Sequence, residues 1–323
     1  MPKILHTARY TGIPWEILKS VVPEGFTVET LEELSYDCLL RQAVDADYLL
    51  VSGRLPIDEG VLSAAKHLRM IQRTGVGTEM LDVDAIKRHE IPVYVNAGVN
   101  ARSVAEHTLT LILCCLKNIP LIDKNVKNGI WKKQQTGVTC NELYGKKVGL
   151  VGMGAIGRQV ARYLNAFGAE VLYTDVFRSS SEIEQQLSLL YVPSFLELLP
   201  QVDIISFHCP LTPENKDMLN AEAIAQMKNG AMIVNTARGK LIETNALYES
   251  LLNGRIRSAA LDVHYEEPLP QQYALAQLDS VILTPHIAGL TYEAFQSMML
   301  GAIDNIEAFE KGEFEKINNK KLL

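Results

Sequence analysis

Three short segments each set a side chain capable of acid–base or anion chemistry directly after an apolar run. They are Asn235-Thr236-Ala237-Arg238-Gly239, Val263-His264-Tyr265-Glu266-Glu267-Pro268 and Pro285-His286-Ile287-Ala288-Gly289. An arginine offers a planar fork that matches a carboxylate bidentately, which a lysine cannot do. A histidine titrates near neutrality, and a neighbouring carboxylate raises its pKa so that it keeps its proton until it donates it. A cation and a proton donor of this kind, beside a hydride source, are what reduction of a 2-oxo acid requires.

A site for such a source lies earlier in the chain. Gly152-Met153-Gly154-Ala155-Ile156-Gly157 follows an apolar run and opens a helical pattern, which is the context that makes a Gly-x-Gly-x-x-Gly informative. Gly152 allows the tight turn, Gly154 lets backbone approach a pyrophosphate, and Gly157 allows helix to pack closely on strand. The amide groups that open the helix, around Ala155 and Ile156, offer a positive dipole end to an anion. The next strand candidate ends at Asp175, about where an acid is expected to bond ribose hydroxyls and repel a 2′-phosphate, so NAD is expected over NADP. Asp175 as a simple loop cap is the competing reading, and Arg178 three residues on is either a phosphate contact or a solvated loop residue.

Position along the predicted strands sorts the seven histidines. Ile4 to Thr7, Phe26 to Thr30, Tyr48 to Ser52, Met70 to Arg73 and Pro92 to Val95 read as strands, separated by helical stretches at Ile13 to Val21, Asp58 to Lys66 and Asp82 to Arg88. Ser103 to Lys117 reads as a longer helix, with Ser103 and Glu106 at capping-box spacing. Six further strands follow: Val148 to Gly152, Glu170 to Thr174, Asp203 to Phe207, Met232 to Asn235, Ser258 to Asp262 and Val281 to Thr284. A last helix runs from Tyr292 to Phe309 and is expected to return to the first domain. This alternation predicts an α/β protein with two doubly wound parallel sheets, whose ligands lie beyond the carboxyl ends of the strands. His286, His264 and His208 all follow strands and stand in contention as the acid. His6, His67, His89 and His107 lie in the first domain or on a helix.

Composition narrows the classes of partner. A 323-residue chain with 47% hydrophobic residues and a net charge of -7 can bury a large core but lacks the clustered basic residues that nucleic acid or an anionic membrane would need. The basic cluster Lys316 to Lys321 reads as a solvated tail. The longest apolar run, Leu109 to Leu116, is too short to span a bilayer, and the N-terminus lacks signal-peptide features, so a cytoplasmic location is expected. The five cysteines show no metal-type spacing and read as reduced and structural; no metal is expected.

The chain resembles the D-isomer-specific 2-hydroxyacid dehydrogenase family over nearly its whole length. The resemblance is carried by the segments beginning at Glu142, Gly152, Asn235, Ala260, Glu266 and Thr284, which occur in the family's order and approximate spacing. It implies an NAD-dependent oxidoreductase acting on the CH–OH group of a small 2-hydroxy acid of the hydroxypyruvate, glyoxylate or phosphoglycerate type. Arg238 would bind the substrate carboxylate and carbonyl, His286 would exchange the proton and Glu267 would pair with His286, with Glu266 a bystander. Asp262 would face the nicotinamide carboxamide. His208, Cys209 and Pro210 would pack near the cofactor, Thr236 and Ala237 would lie beside the nicotinamide ribose, and Gly289 joins the cofactor set. Val76 and Gly77, in the turn that begins at Gly75, would hold the substrate carboxylate. Arg54 either reaches a substrate phosphate or caps Asp58.

The resemblance further implies a flavodoxin-like substrate domain formed by residues 1–101 and 288–323 and a Rossmann NAD-binding domain formed by residues 102–287. The domains would close over the substrate through hinges near Asn100 to Ser103 and near Ile287 to Thr291. A homodimer is expected through the NAD-binding domain, with Leu121 to Thr136 and Trp131 as a candidate arm. His264 stands where the family commonly has an aromatic residue, either shaping the pocket or filling it. The chain ends shortly after the last helix, so a fused serine-sensing domain is not expected. Pro285, where formate dehydrogenases generally have Gln, argues against that activity. The alternative from another class is a non-catalytic NAD-sensing protein of the corepressor type.

Overall fold

A computed structural model describes residues 1–317; the part of the basic cluster Lys316 to Lys321 that lies past Ile317 falls outside the described residues. The chain divides into two compact units: Met1–Asn100 together with the segment from Leu290 onward, and Ala101–Gly289.

The first unit holds a five-stranded parallel sheet. Its strands are β1 (Lys3–His6), β2 (Thr27–Thr30), β3 (Tyr48–Val51), β4 (Met70–Arg73) and β5 (Val93–Tyr94), in the order β2-β1-β3-β4-β5. This is the flavodoxin-like order. The central strands are short and fully buried, as parallel strands covered on both faces must be. One face is covered by the helices Tyr36–Ala43, Glu59–Ala64 and Val83–Arg88. The other receives Met298, Met299, Ala302, Ile303 and Ile306 of the final helix, Tyr292–Glu310, against Ile4, Tyr48, Leu50 and Met70. Two buried amides pin that helix: Asn96 Nδ2 donates to the Met298 carbonyl at 2.8 Å, and Asn305 Nδ2 donates to Gln72 Oε1 at 3.2 Å.

The second unit holds a seven-stranded parallel sheet. Its strands are β6 (Lys147–Val151), β7 (Glu170–Thr174), β8 (Leu189–Tyr191), β9 (Ile204–Phe207), β10 (Ala231–Asn235), β11 (Ile256–Leu261) and β12 (Val281–Leu283), in the order β12-β11-β10-β9-β6-β7-β8. The sheet reverses its direction of growth between β6 and β9, the switch point at which doubly wound sheets bind dinucleotides. Register is the feature that builds the site. Thr174 pairs with Val151, Val151 with Phe207, Phe207 with Asn235, Asn235 with Leu261 and Leu261 with Leu283. The six strands therefore end in one row, and the residues that follow them share one edge.

Several elements differ from or add to the sequence reading, among them the short helices Ser181–Gln186, Phe195–Leu198, Ala221–Gln226 and Thr244–Leu252 of the second unit. The helix expected to start at Ser103 starts at Ala101, and Ser103 is no cap; its hydroxyl donates to the Ala288 carbonyl at 2.7 Å. The helix Tyr36–Ala43 and the edge strand β8 are additional. The helix is only eight residues long, and its N-cap bond from Cys38 N–H to Ser35 Oγ is the local signal that marks it. Strand β8 has three residues, too few to show a period. Among the described residues no single helix is long and apolar enough to cross a membrane, and no group of three or more His, Cys, Asp or Glu is placed to hold a metal ion. All five cysteines are free.

Candidate active site

The glycine turn after β6 leaves no room for side chains where the chain must fold back. A Cβ on Gly152, whose φ is +102°, would stand 2.7 Å from the Cys209 nitrogen and the His208 carbonyl carbon; one on Gly157 would stand 2.2 Å from the Gly152 oxygen. Gly154 is different: nothing lies within 4 Å of its Cβ position, so space opens directly over the start of helix Ala155–Ala166. Open space, unpaired N–H groups and the positive end of the helix dipole fit a pyrophosphate.

Asp175, one residue past β7, fastens this turn. Its Oδ2 accepts from Met153 N–H at 2.6 Å and its Oδ1 accepts from Phe177 N–H at 3.2 Å. It is thus a loop cap as well as a candidate ribose contact, since each oxygen keeps a second lone pair. Arg178 is tied up: Nε and one terminal nitrogen donate to Glu184 at 2.8 and 2.9 Å, and the guanidinium lies over the Tyr191 ring at 5.0 Å. A phosphate would have to compete with that bidentate pair.

The three histidines in contention separate by environment. His208 is enclosed beside Gly152; its Nε2 bonds Ser206 Oγ at 2.9 Å, and burial pushes its pKa down to about 3, so the ring is neutral at physiological pH. His264 is 7% exposed and its Nε2 lies 2.9 Å from the Thr284 carbonyl oxygen. His286 alone is open, with a side chain 51% exposed, and its Nδ1 lies 2.7 Å from Glu267 Oε2. The hydrogen bond to Glu267 raises the His286 pKa above the usual imidazole value, more than burial lowers it. Burial pushes Glu267 upward, but the bonds from His286 and from His264 N–H outweigh it and leave the carboxyl below its usual range. Both shifts favour the same charged pair.

The turn that presents His286 is strained and held. His286 has φ 56°, a left-handed conformation that costs a non-glycine residue about 1–3 kcal/mol. Its N–H donates to the Asp262 carbonyl at 2.7 Å. The fully buried Asp262 carboxylate accepts from Ile287 N–H and Ala288 N–H, each at 2.9 Å, and from the Thr284 hydroxyl at 2.5 Å. His107 Nε2 reaches Thr284 Oγ1 at 3.2 Å. The observed work of Asp262 is therefore to hold the His286 turn. Its neighbours Thr284 and His107 are participants that sequence reasoning missed, because they act through contacts distant in the chain.

Arg238 follows β10 on a loop closed by Asn235, whose Oδ1 accepts from Ala237 N–H at 3.0 Å and whose Nδ2 donates to the Arg238 carbonyl at 2.8 Å. The Asn two residues before Ala237 was the readable signal for this Asx turn. Arg238 itself is half-buried and donates to the Ala237 carbonyl at 2.8 Å. Thr236 is buried, its hydroxyl 2.9 Å from that of Thr108. The Cys209 thiol is pushed up to about 11 by burial, and the Pro210 carbonyl accepts from Asn215 Nδ2 at 2.8 Å. Glu266 is exposed, and Gly289 closes the second unit.

In the first unit, the turn after β4 carries Gly75, Val76 and Gly77, with Val76 52% exposed. It rests on a residue the sequence reading passed over. Arg73, buried at the end of β4, donates to the Gly77 carbonyl at 2.6 Å and the Val51 carbonyl at 3.0 Å. Gly53 is glycine for the same reason, since a Cβ there would meet the Arg73 guanidinium at 2.8 Å. Arg54 is exposed and makes no bond to Asp58, whose carboxylate accepts from the Tyr36 hydroxyl and Val61 N–H.

Comparison with known proteins identifies the family. Residues 109–288 match the family described as D-isomer specific 2-hydroxyacid dehydrogenase, NAD binding domain. The chain is 38% identical over 294 residues to D-3-phosphoglycerate dehydrogenase of Methanocaldococcus jannaschii, covering 91% of this chain but only 55% of that relative, so it spans about half the relative's length. It is 38% identical over 288 residues to glyoxylate reductase of Thermofilum pendens, covering 88% of this chain and 85% of that one. The apo-structure of D-lactate dehydrogenase from Escherichia coli superposes with a TM-score of 0.87 at 30% identity, over 100% of both chains. The chain belongs to the D-isomer specific 2-hydroxyacid dehydrogenase family, and its second unit carries that family's NAD-binding domain.

Proposed function

We propose that this protein is an NAD-dependent oxidoreductase that interconverts a small D-2-hydroxy acid and its 2-oxo acid, of the hydroxypyruvate, glyoxylate or phosphoglycerate type. The carrying observation is the Glu267–His286 pair at 2.7 Å on an open strand edge, with His286 held toward its protonated form. NADH, held at the Gly152–Gly157 turn, would supply the hydride that the carbonyl carbon accepts. The Arg238 guanidinium binds the substrate carboxylate and polarises the carbonyl, His286 gives its proton to the carbonyl oxygen, and Glu267 stabilises the imidazolium until that transfer. One proton and one hydride are consumed for each 2-oxo acid reduced, and the reverse direction returns both.

Gly152, Gly154, Ala155, Ile156 and Gly157 are the proposed pyrophosphate contacts and Asp175 the ribose contact. His208, Cys209, Pro210, Thr236, Ala237, Arg238, Asp262, His286 and Gly289 complete the cofactor set. Arg54, Val76 and Gly77, with Arg238 and His286, are the proposed substrate contacts, residues 1–101 with 288–323 the substrate domain, and residues 102–287 the cofactor domain. The names of the relatives, glyoxylate reductase and D-3-phosphoglycerate dehydrogenase, support this choice of acids. A cytoplasmic homodimer is part of the reading. The helices Ile119–Lys127 and Lys133–Gly137 bury no residue, and the neighbouring Trp131 and Val138 are 79% and 83% exposed, which supports an interface there.

The test is NADH oxidation by the purified protein against hydroxypyruvate, phosphohydroxypyruvate, glyoxylate, pyruvate and branched 2-oxo acids, repeated with NADPH. A preferred acid with NADH is expected. NADH binding without turnover of any member would overturn the reading.

A further inference from the structure

His264 touches all three loops that deliver charged groups to the strand edge. Its N–H donates to Glu267 Oε1 at 2.9 Å, within its own loop. Its ring Nε2 lies 2.9 Å from the Thr284 carbonyl oxygen, two residues before His286. A carbonyl only accepts, so Nε2 carries the proton and the ring is the donor. Its own carbonyl and the next peptide nitrogen lie against Gly239, where a Cβ would stand 2.0 and 2.5 Å away, immediately after Arg238. The ring meets Tyr273 edge-on at 6.1 Å and is otherwise enclosed.

These contacts are unequal in sequence distance, and that is what gives the ring its task. The bond to Glu267 spans three residues and is set by the turn itself, whereas the bond to Thr284 spans twenty and joins two separate strand ends. The paired strands β11 and β12 end at Leu261 and Leu283, before either loop begins, so the loops must be joined by other bonds. Asp262 holds the far side of the His286 turn, through Ile287 and Ala288. The ring of His264 holds the near side, at Thr284.

We infer that His264 is a positioning residue, whose ring donates to the Thr284 carbonyl to keep Glu267 and His286 at bonding distance. The inference rests on the proposed function for its kinetic readout, but not for its spectroscopic one. The charged or titratable groups facing His286 are Glu267, Asp262 and Arg238, and those nearest the His264 ring are Glu267 and Tyr273. Loosening the ring bond weakens the Glu267 contribution, so the His286 pKa falls toward its ordinary value.

Two variants separate positioning from space-filling. His264→Phe keeps the ring volume and loses the donor. His264→Gln loses the ring but places an amide N–H the same number of bonds from Cβ as Nε2. NMR titration of the His286 imidazole in the full chain reads the pair directly, with no substrate present. The His286 pKa is expected to drop by roughly half a unit in the Phe variant and to stay near wild type in the Gln variant. With the preferred 2-oxo acid, kcat should fall roughly three- to tenfold in the Phe variant and less in the Gln variant, with KM for NADH unchanged in both. A Phe variant equal to or better than the Gln variant in His286 pKa overturns the inference, as does an equal loss in both. Failure of wild type to reduce any 2-oxo acid would remove the proposed function while leaving the titration to decide the role of His264.

Discussion

The carboxyl edges of the two sheets are furnished in opposite ways. In the seven-stranded sheet, strands that end in register put Arg238, Glu267 and His286 on adjacent loops, and the pair formed by the last two is left half-exposed with each partner shifted toward its charged form. In the five-stranded sheet Arg73, at the end of β4, is buried and donates to the Val51 and Gly77 carbonyls, while Arg54 beyond β3 is exposed. One edge leaves an ion pair open, whereas at the other a buried arginine holds a turn. Residue type alone does not distinguish these settings, because each edge contains an arginine with a glycine within two residues after it.

The comparison can be broken most directly at His286. His286→Asn keeps a hydrogen-bonding side chain without a titratable ring, and 2-oxo acid reduction should fall by at least about a hundredfold while NADH binding, read by fluorescence, stays near wild type. Undiminished turnover would end the assignment. The converse change is Arg73→Met, which takes the side-chain donor from the Gly77 carbonyl and leaves the Val51 carbonyl to Thr74 alone. A loss of roughly 1–3 kcal/mol in urea-induced unfolding is expected. A variant as stable as wild type would show that Arg73 does not hold the turn.

A smaller effect tests the charge pairing. Because Glu267 raises the folded-state pKa of His286, reduction should proceed fully below that pKa and be lost as pH rises through it; oxidation of the hydroxy acid should show the opposite dependence. Glu267→Gln removes the charge, so the alkaline limb for reduction should move about one unit toward lower pH, measured from kcat profiles in both directions. An unmoved limb would mean that another group controls the titration. The smallest expected effect is in Asp175→Ala, which should narrow the preference for NADH over NADPH severalfold, with Arg178 still locked to Glu184. No change in the ratio of kcat/KM values would leave Asp175 as a turn fastener alone.

Much of the architecture was legible because its signals are local. Met70–Arg73, Glu170–Thr174 and Ile13–Val21 coincide with the expected elements, since buried parallel strands read as apolar runs and amphipathic helices as a 3.6-residue period. The glycine turn was readable for the same reason: each glycine answers a steric demand within a few residues, as the blocked Cβ positions at Gly152 and Gly157 show. The capping reading of Ser103 failed where a distant group intervened, since the Ala288 carbonyl takes its hydroxyl.

By itself the sequence determined two doubly wound sheets, a dinucleotide turn and a short set of chargeable strand ends, because periodicity, turn sterics and residue chemistry act over neighbouring positions. Strand position left His208, His264 and His286 in contention, and the family resemblance pointed to His286 without a physical reason. The tertiary structure supplied that reason, through burial of the His208 ring, a bond from His264 to Thr284 and exposure of His286 beside Glu267. Burial and charge pairing are sums over residues brought together by folding, so a histidine's proton affinity is written in contacts that chain order does not reveal.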